Sequence, residues 1–168
     1  VSGARIDRRT LQRRLLEGGA IVLGLATLLI IPAKLGPFPL PWPLALIWAA
    51  YAWSAAGPTI RAAGFLFVLG LWHDVLTGGP FGAWALVGLS AYGAALAQRQ
   101  WVAFEGQAAT FAGCGIAAIA AGLAGAILML MRGDGMPTPL FFAQLAVTVM
   151  MFPLVGGAFA LGETGDDE

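Results

Sequence analysis

The chain has one cysteine, Cys114, and one histidine, His73, among 168 residues. A lone thiol cannot form an internal disulfide, so a disulfide-stapled fold is excluded. One His and one Cys are too few for a zinc-type ligand cluster. Charge is scarce as well: Asp, Glu, Lys and Arg supply 11% of the residues, against roughly 25% in an average soluble domain. A soluble globule of this size covers itself with polar side chains, and this chain has too few of them. Intrinsic disorder is excluded too, since it goes with low hydrophobicity and high charge. Neither sign of charge dominates, nine basic residues standing against nine acidic ones. The electrostatic footprint of a nucleic-acid binder is therefore missing, and no nucleic-acid partner is expected.

What the chain has in quantity is apolar surface. Apolar residues make up 59% of it, and the mean hydropathy is +0.82. This composition predicts an all-α integral membrane protein. The placement of the charges agrees. Residues 1–17 hold seven of them, Arg5, Asp7, Arg8, Arg9, Arg13, Arg14 and Glu17, and residues 163–168 hold Glu163, Asp166, Asp167 and Glu168. The rest, Lys34, Arg61, Asp74, Arg99, Glu105, Arg132 and Asp134, punctuate long apolar runs.

Those runs predict a bundle of six transmembrane helices with short loops, at about 20 apolar residues per crossing. The first runs from about Gly18 to Ile31. Alternate prolines in Gly36-Pro37-Phe38-Pro39-Leu40-Pro41 bar a helix there. The second runs from Pro41 or Trp42 to Ala56, and the third from Arg61 through Asp74 to Leu76. The fourth runs from Phe81 to Ala97, the fifth from Gln107 to Met131 and the sixth from Pro139 to Leu161, with Pro153 inside it. The organisation is thus a basic segment 1–17, a membrane domain 18–162 and an acidic tail 163–168.

Basic residues favour the cytoplasmic side. With the five N-terminal arginines inside, Arg61 and Arg99 also fall inside, while Lys34 and Arg132 fall outside. The expected topology is multi-pass, with both termini cytoplasmic. Trp42, Trp84 and Trp101 then sit near helix ends, where interfacial anchors belong. A signal peptide is not expected, because Ile31-Pro32-Ala33 is a poor cleavage site and five more apolar runs follow. The basic segment has two readings. It is a topology determinant, or its arginines Arg5, Arg8, Arg9, Arg13 and Arg14 lie on an anionic membrane surface, with Leu11 and Leu15 on the other side.

No catalytic constellation is legible, and no cofactor is expected. An intramembrane aspartyl protease needs two Asp in the bilayer, and only Asp74 lies inside an apolar run. Gly88-Leu89-Ser90 faintly resembles the serine motif of rhomboid proteases, but no His follows it. The mid-run polar residues are few: Thr27, Ser54, Ser90, Thr110, Gln144 and Thr148. That disfavours an ion-coupled carrier. Small residues are plentiful instead. Ala117, Ala121 and Gly125 repeat every four positions, as do Ala20 and Gly24. Such stripes let helices approach closely, either within the bundle or against a partner protein.

One segment carries a resemblance. Residues 70–86 read Gly-Leu-Trp-His-Asp-Val-Leu-Thr-Gly-Gly-Pro-Phe-Gly-Ala-Trp-Ala-Leu. Gly70, Leu71, Asp74, Gly78, Pro80 and Gly82 match the pattern Gly-Leu-x-x-Asp-x-x-x-Gly-x-Pro-x-Gly, and the segment resembles the rod-shape-determining protein MreD family. Pro41, Pro43, the aromatic run Trp48, Tyr51 and Trp53, and Pro58 fit the same family, so the likeness covers about residues 37–100. The resemblance implies a non-enzymatic inner-membrane component of the cell-elongation machinery. Its implied partners are MreC, the actin-like MreB, the glycosyltransferase RodA and a class-B penicillin-binding protein, with membrane lipid around it. The family is also similar to the substrate-binding membrane components of energy-coupling-factor transporters, which supplies the alternative function.

Asp74 has a physical reading of its own. The apolar stretch from Arg61 to Asp74 spans only about 20 Å of helix, too short to cross a core about 30 Å thick. Asp74 therefore lies within the membrane or at its outer edge, where a carboxylate without hydrogen bonds is costly. It accepts hydrogen bonds from the amides of the Gly78–Gly82 turn or the start of the next helix and locks the hairpin, or it makes a polar contact with a partner helix.

Overall fold

The computed structural model describes residues 8–28, 34–35, 38–39, 43–101, 107–135 and 137–159. Among them are six α-helices: α1 (Arg8–Leu28), α2 (Ala45–Trp53), α3 (Ile60–Thr77), α4 (Ala83–Trp101), α5 (Gln107–Arg132) and α6 (Pro139–Phe159). A 3-10 turn, Ser54–Ala56, extends α2. Between α1 and α2, β1 (Lys34–Leu35) pairs antiparallel with β2 (Phe38–Pro39). The acidic tail 163–168 and Arg5 lie outside the described residues.

The molecule is built around α2. Its sequence, ALIWAAYAW, is apolar on every side, and all nine residues are buried. A helix that is hydrophobic all round has to be enclosed, and here the other five helices all pack against it. At about 14 Å, α2 is too short to cross a membrane by itself. The second expected run, from Pro41 or Trp42 to Ala56, is thus helical from Ala45 and ends in the 3-10 turn Ser54–Ala56. Two side chains tie α2 to α6. The Leu44 amide donates to Thr148 Oγ1 at 2.8 Å, and the Trp48 indole donates to the Thr148 carbonyl at 2.7 Å.

The outside of the bundle also carries many large apolar side chains. On α5, Ala117, Ala121 and Cys114 face inward and are buried, while Ile119 and Leu123 are 63% and 60% exposed. On α3, Leu66, Gly70, His73 and Asp74 face inward, and Phe67, Val68, Trp72 and Val75 face out. Soluble monomers rarely expose apolar surface in such continuous bands. Two helical segments, Ile60–Thr77 and Ala109–Arg132, are long and apolar enough to cross a membrane. The remaining apolar stretches are shorter: Leu15–Leu28, Ala45–Ala56 and Pro139–Val155.

The basic segment is part of α1, which runs unbroken from Arg8. The expected boundary at residue 17/18 therefore falls mid-helix. Leu15, expected on the side opposite the arginines, is fully buried in the core. Arg13 is exposed and pairs with Glu17 one turn on, at 2.8 Å. Arg8, Arg9 and Arg14 lie on the same helix, with side chains outside the described set.

Candidate functional site

The residues of the 70–82 motif come together where α3 turns into α4. Thr59 opens α3 by accepting a hydrogen bond from the Ala62 amide. Nineteen residues later Gly78 closes the helix in the left-handed region, at φ +65°. An L-residue is strained there and glycine is not. The amides of Gly78 and Gly79 both return to the Asp74 carbonyl, which stops the helix in one turn. Gly82 also has positive φ, +95°, and starts the return. The Pro80 carbonyl accepts from the Ala83 amide, so the first turn of α4 forms directly after the proline.

Asp74 joins the two helices through its side chain. Its Oδ2 accepts from the Gly82 amide at 2.7 Å and its Oδ1 from the Trp84 amide at 2.9 Å. Both donors stand at the start of α4, where the first amides have no partner within the helix and carry the positive end of its dipole. A carboxylate there caps the helix, although it comes from the preceding one. His73 adds a second hold: its ring lies 4.4 Å from that of Trp84. Adjacent residues of α3 thus bind the amide and the ring of the same tryptophan. Trp84 is partly buried by this contact and does not stand free as an interfacial anchor.

Gly70 has a different task. A methyl group built on it would overlap the backbone of Ala85. The helices α3 and α4 touch backbone to backbone at this point, which holds the hairpin narrow. Leu71 is half-buried beside it. Five of the six motif positions therefore have a defined place in one helix–turn–helix unit.

The partner-interface reading of Asp74, Ala117, Ala121 and Gly125 is corrected. Asp74 is 1% exposed and spends both oxygens inside the chain. Ala117 and Ala121 are buried in the core, and Gly125 faces Phe141 of α6 and Val87 of α4. The small stripe packs the bundle against itself and offers no surface to another protein.

The opposite end of the bundle holds contacts that the sequence does not announce. The Tyr92 hydroxyl accepts from the Thr59 amide at 3.1 Å and donates to the Gly57 carbonyl at 3.0 Å, clamping the turn between α2 and α3. Arg99, expected in a loop, lies in the last turn of α4 and reaches the end of α2. Its Nε donates to Ser54 Oγ at 2.8 Å and its guanidinium lies 5.0 Å from the centre of the Tyr51 ring. A cation at a helix C-terminus is favourable. The mid-run hydroxyls of Thr27, Ser54, Ser90 and Thr148 donate to carbonyls of their own helices.

Among the described residues no group of three His, Cys, Asp or Glu side chains is placed to hold a metal. One cavity of about 220 Å³ lies beside the hairpin, between α4, α5 and α6. No family model, curated relative or solved structure matches the chain.

Proposed function

We propose that this chain is a six-crossing inner-membrane bundle with both termini cytoplasmic, and that it serves the cell-elongation machinery of rod-shaped bacteria as a non-enzymatic component. In this reading it binds membrane partners such as MreC and thereby supports MreB, RodA and a class-B penicillin-binding protein. The observation that carries it is the hairpin at Asp74. The residues on which the resemblance to the MreD family rests form one interlocked turn, with the carboxylate on the amides of Gly82 and Trp84. The signature therefore describes a rigid structural unit, as suits a protein that holds others in place.

The apolar exterior supports the membrane part of the reading. Two helical segments satisfy the length and hydropathy of a crossing. In this reading the enclosed helix α2 crosses as well, protected by its neighbours. Its start lies by the cavity with Thr77 and Arg132, and its end lies at Arg99.

Depletion in a rod-shaped host tests the function. Rounded cells, with MreC recovered alongside the gently solubilised protein, are expected. Cells that remain rods but lose uptake of a vitamin would favour the transporter-component alternative. The cavity speaks against that alternative, because apolar side chains form most of its wall, and a vitamin needs convergent polar groups.

A further inference from the structure

The cavity between α4, α5 and α6 has a composition that specifies its occupant. Its inner wall is formed by Val87, Ala121, Gly125, Leu128, Phe141 and Leu145. The small side chains of Ala121 and Gly125 leave the space that Phe141 and Leu145 do not fill. The cavity is partly open, and Thr77 and Arg132, both exposed, stand at its mouth. The inner wall offers water no polar side chain to bond to. Around it the bundle surface is apolar too, with Leu86, Leu130 and Phe142 exposed. In a membrane, the solvent that reaches such a cleft is hydrocarbon.

Arg132 adds a charge where that hydrocarbon would end. Its Nη1 is 3.2 Å from Asp134 Oδ2, and its side chain is 49% exposed. A guanidinium has five N–H donors, so one carboxylate contact leaves several free to take the oxygens of a phosphate. The turn Thr77–Pro80 and Arg132 mark the same end of the bundle, the outer end in the orientation above. The apolar wall thus lies at the depth of the acyl chains of the outer leaflet, and the guanidinium at the depth of its headgroups.

We propose that this cleft binds one anionic phospholipid, with an acyl chain against Gly125 and Leu128 and its phosphate on Arg132. The inference rests on the membrane reading and not on the identity of any protein partner. The lipid would seal the gap between the α3–α4 hairpin and the α5–α6 hairpin and make the outer end of the bundle rigid.

Native mass spectrometry of the detergent-solubilised full chain, titrated with phosphatidylglycerol or phosphatidylcholine, tests it. The wild type should retain one phosphatidylglycerol per chain in preference to phosphatidylcholine. Arg132→Gln should weaken the phosphatidylglycerol adduct about tenfold, the order of one charge-assisted contact, and the phosphatidylcholine adduct less, because the choline cation already offsets that lipid's phosphate. Gly125→Leu and Leu128→Trp fill the cleft from two positions and should abolish the adduct. Ile127→Trp, on the exposed face of α5, should not. Excess inorganic phosphate should fail to displace the lipid, because the chain supplies the anchorage. Equal retention of both lipids by the wild type, or wild-type retention in both filled-cleft variants, would overturn the proposal. Either result leaves the membrane reading standing. Recovery of the protein in the soluble fraction without detergent would overturn both.

Discussion

The Trp84 amide donates to Asp74 Oδ1 at 2.9 Å, and the two residues are ten apart in sequence. A carboxylate on one helix thereby caps the next, and with the second bond from Gly82 it fixes the angle of the hairpin. Asp74→Ala leaves both amides without this acceptor and should cost about 1–3 kcal/mol. Asp74→Asn keeps one acceptor oxygen and turns an NH2 group toward the other amide, so it should fall between alanine and wild type. Thermal unfolding in detergent measures both. A variant Asp74→Ala as stable as wild type would show that the lock contributes nothing.

Gly78 and Gly82 should be costly to replace for reasons of backbone and not of space. Each has positive φ, and a Cβ at either position meets nothing within 4 Å. Gly78→Ala should therefore lose about 1–2 kcal/mol. Gly78→Asn should recover part of it, since Asn tolerates the left-handed region. Equal losses for Ala and Asn would point to a cause other than φ.

Gly70 and Gly64 lie on the same helix and should respond in opposite directions. Gly70→Ala drives a methyl into the Ala85 backbone, whereas a Cβ at Gly64 meets nothing. The first should destabilise by about 1–3 kcal/mol or more through overpacking. The second should stabilise by about 0.5–1 kcal/mol through helix propensity. Melting temperatures that move the same way would contradict the close approach of α3 and α4.

Tyr92→Phe removes the hydroxyl that bridges the Gly57 carbonyl and the Thr59 amide, and should cost roughly 1–2 kcal/mol. Trp84 and Tyr92 are about 12 Å apart along α4, so the loss should add to that of Asp74→Ala in the double variant. Strong non-additivity would mean that the two ends of the hairpin communicate.

Orientation can be read with single cysteines in a Cys114→Ala background. Thr138 and Ala55 are exposed at opposite ends of the bundle. Thr138→Cys in intact cells should react with an impermeant thiol reagent, and Ala55→Cys should react only after lysis. The inverse pattern would reverse the proposed topology.

Much of the helical layout was legible, because in so apolar a chain every charge and every Gly-Pro pair is punctuation. The observed α5 ends one residue beyond the position read from the sequence, and α6 begins at the expected Pro139. Asp74 was legible as a hydrogen-bonded carboxylate because the apolar run before it is short. The enclosure of α2 was not. A helix apolar all round suits lipid and protein interior equally, so its sequence does not say which surrounds it. The stripe of Ala117, Ala121 and Gly125 announces close packing but not the owner of the facing helix. Arg99 looks like loop punctuation in the sequence because its charge says nothing about where a long, flexible stem can carry it. The cavity has no sequence signal at all, since it is the space three helices leave between them.

The tie between α2 and α6 also sets a schedule for synthesis. Leu44 and Trp48 depend on Thr148, which follows them by 104 and 100 residues. At roughly 5–20 residues per second, the ribosome needs about 5–20 s to deliver it. Through that interval the Trp48 indole lacks its Thr148 carbonyl, and the wall that α6 forms around α2 does not exist. A product cut short before Gln144 never acquires either. Such a fragment keeps both partners of the Asp74 hairpin yet presents α2 with one side open.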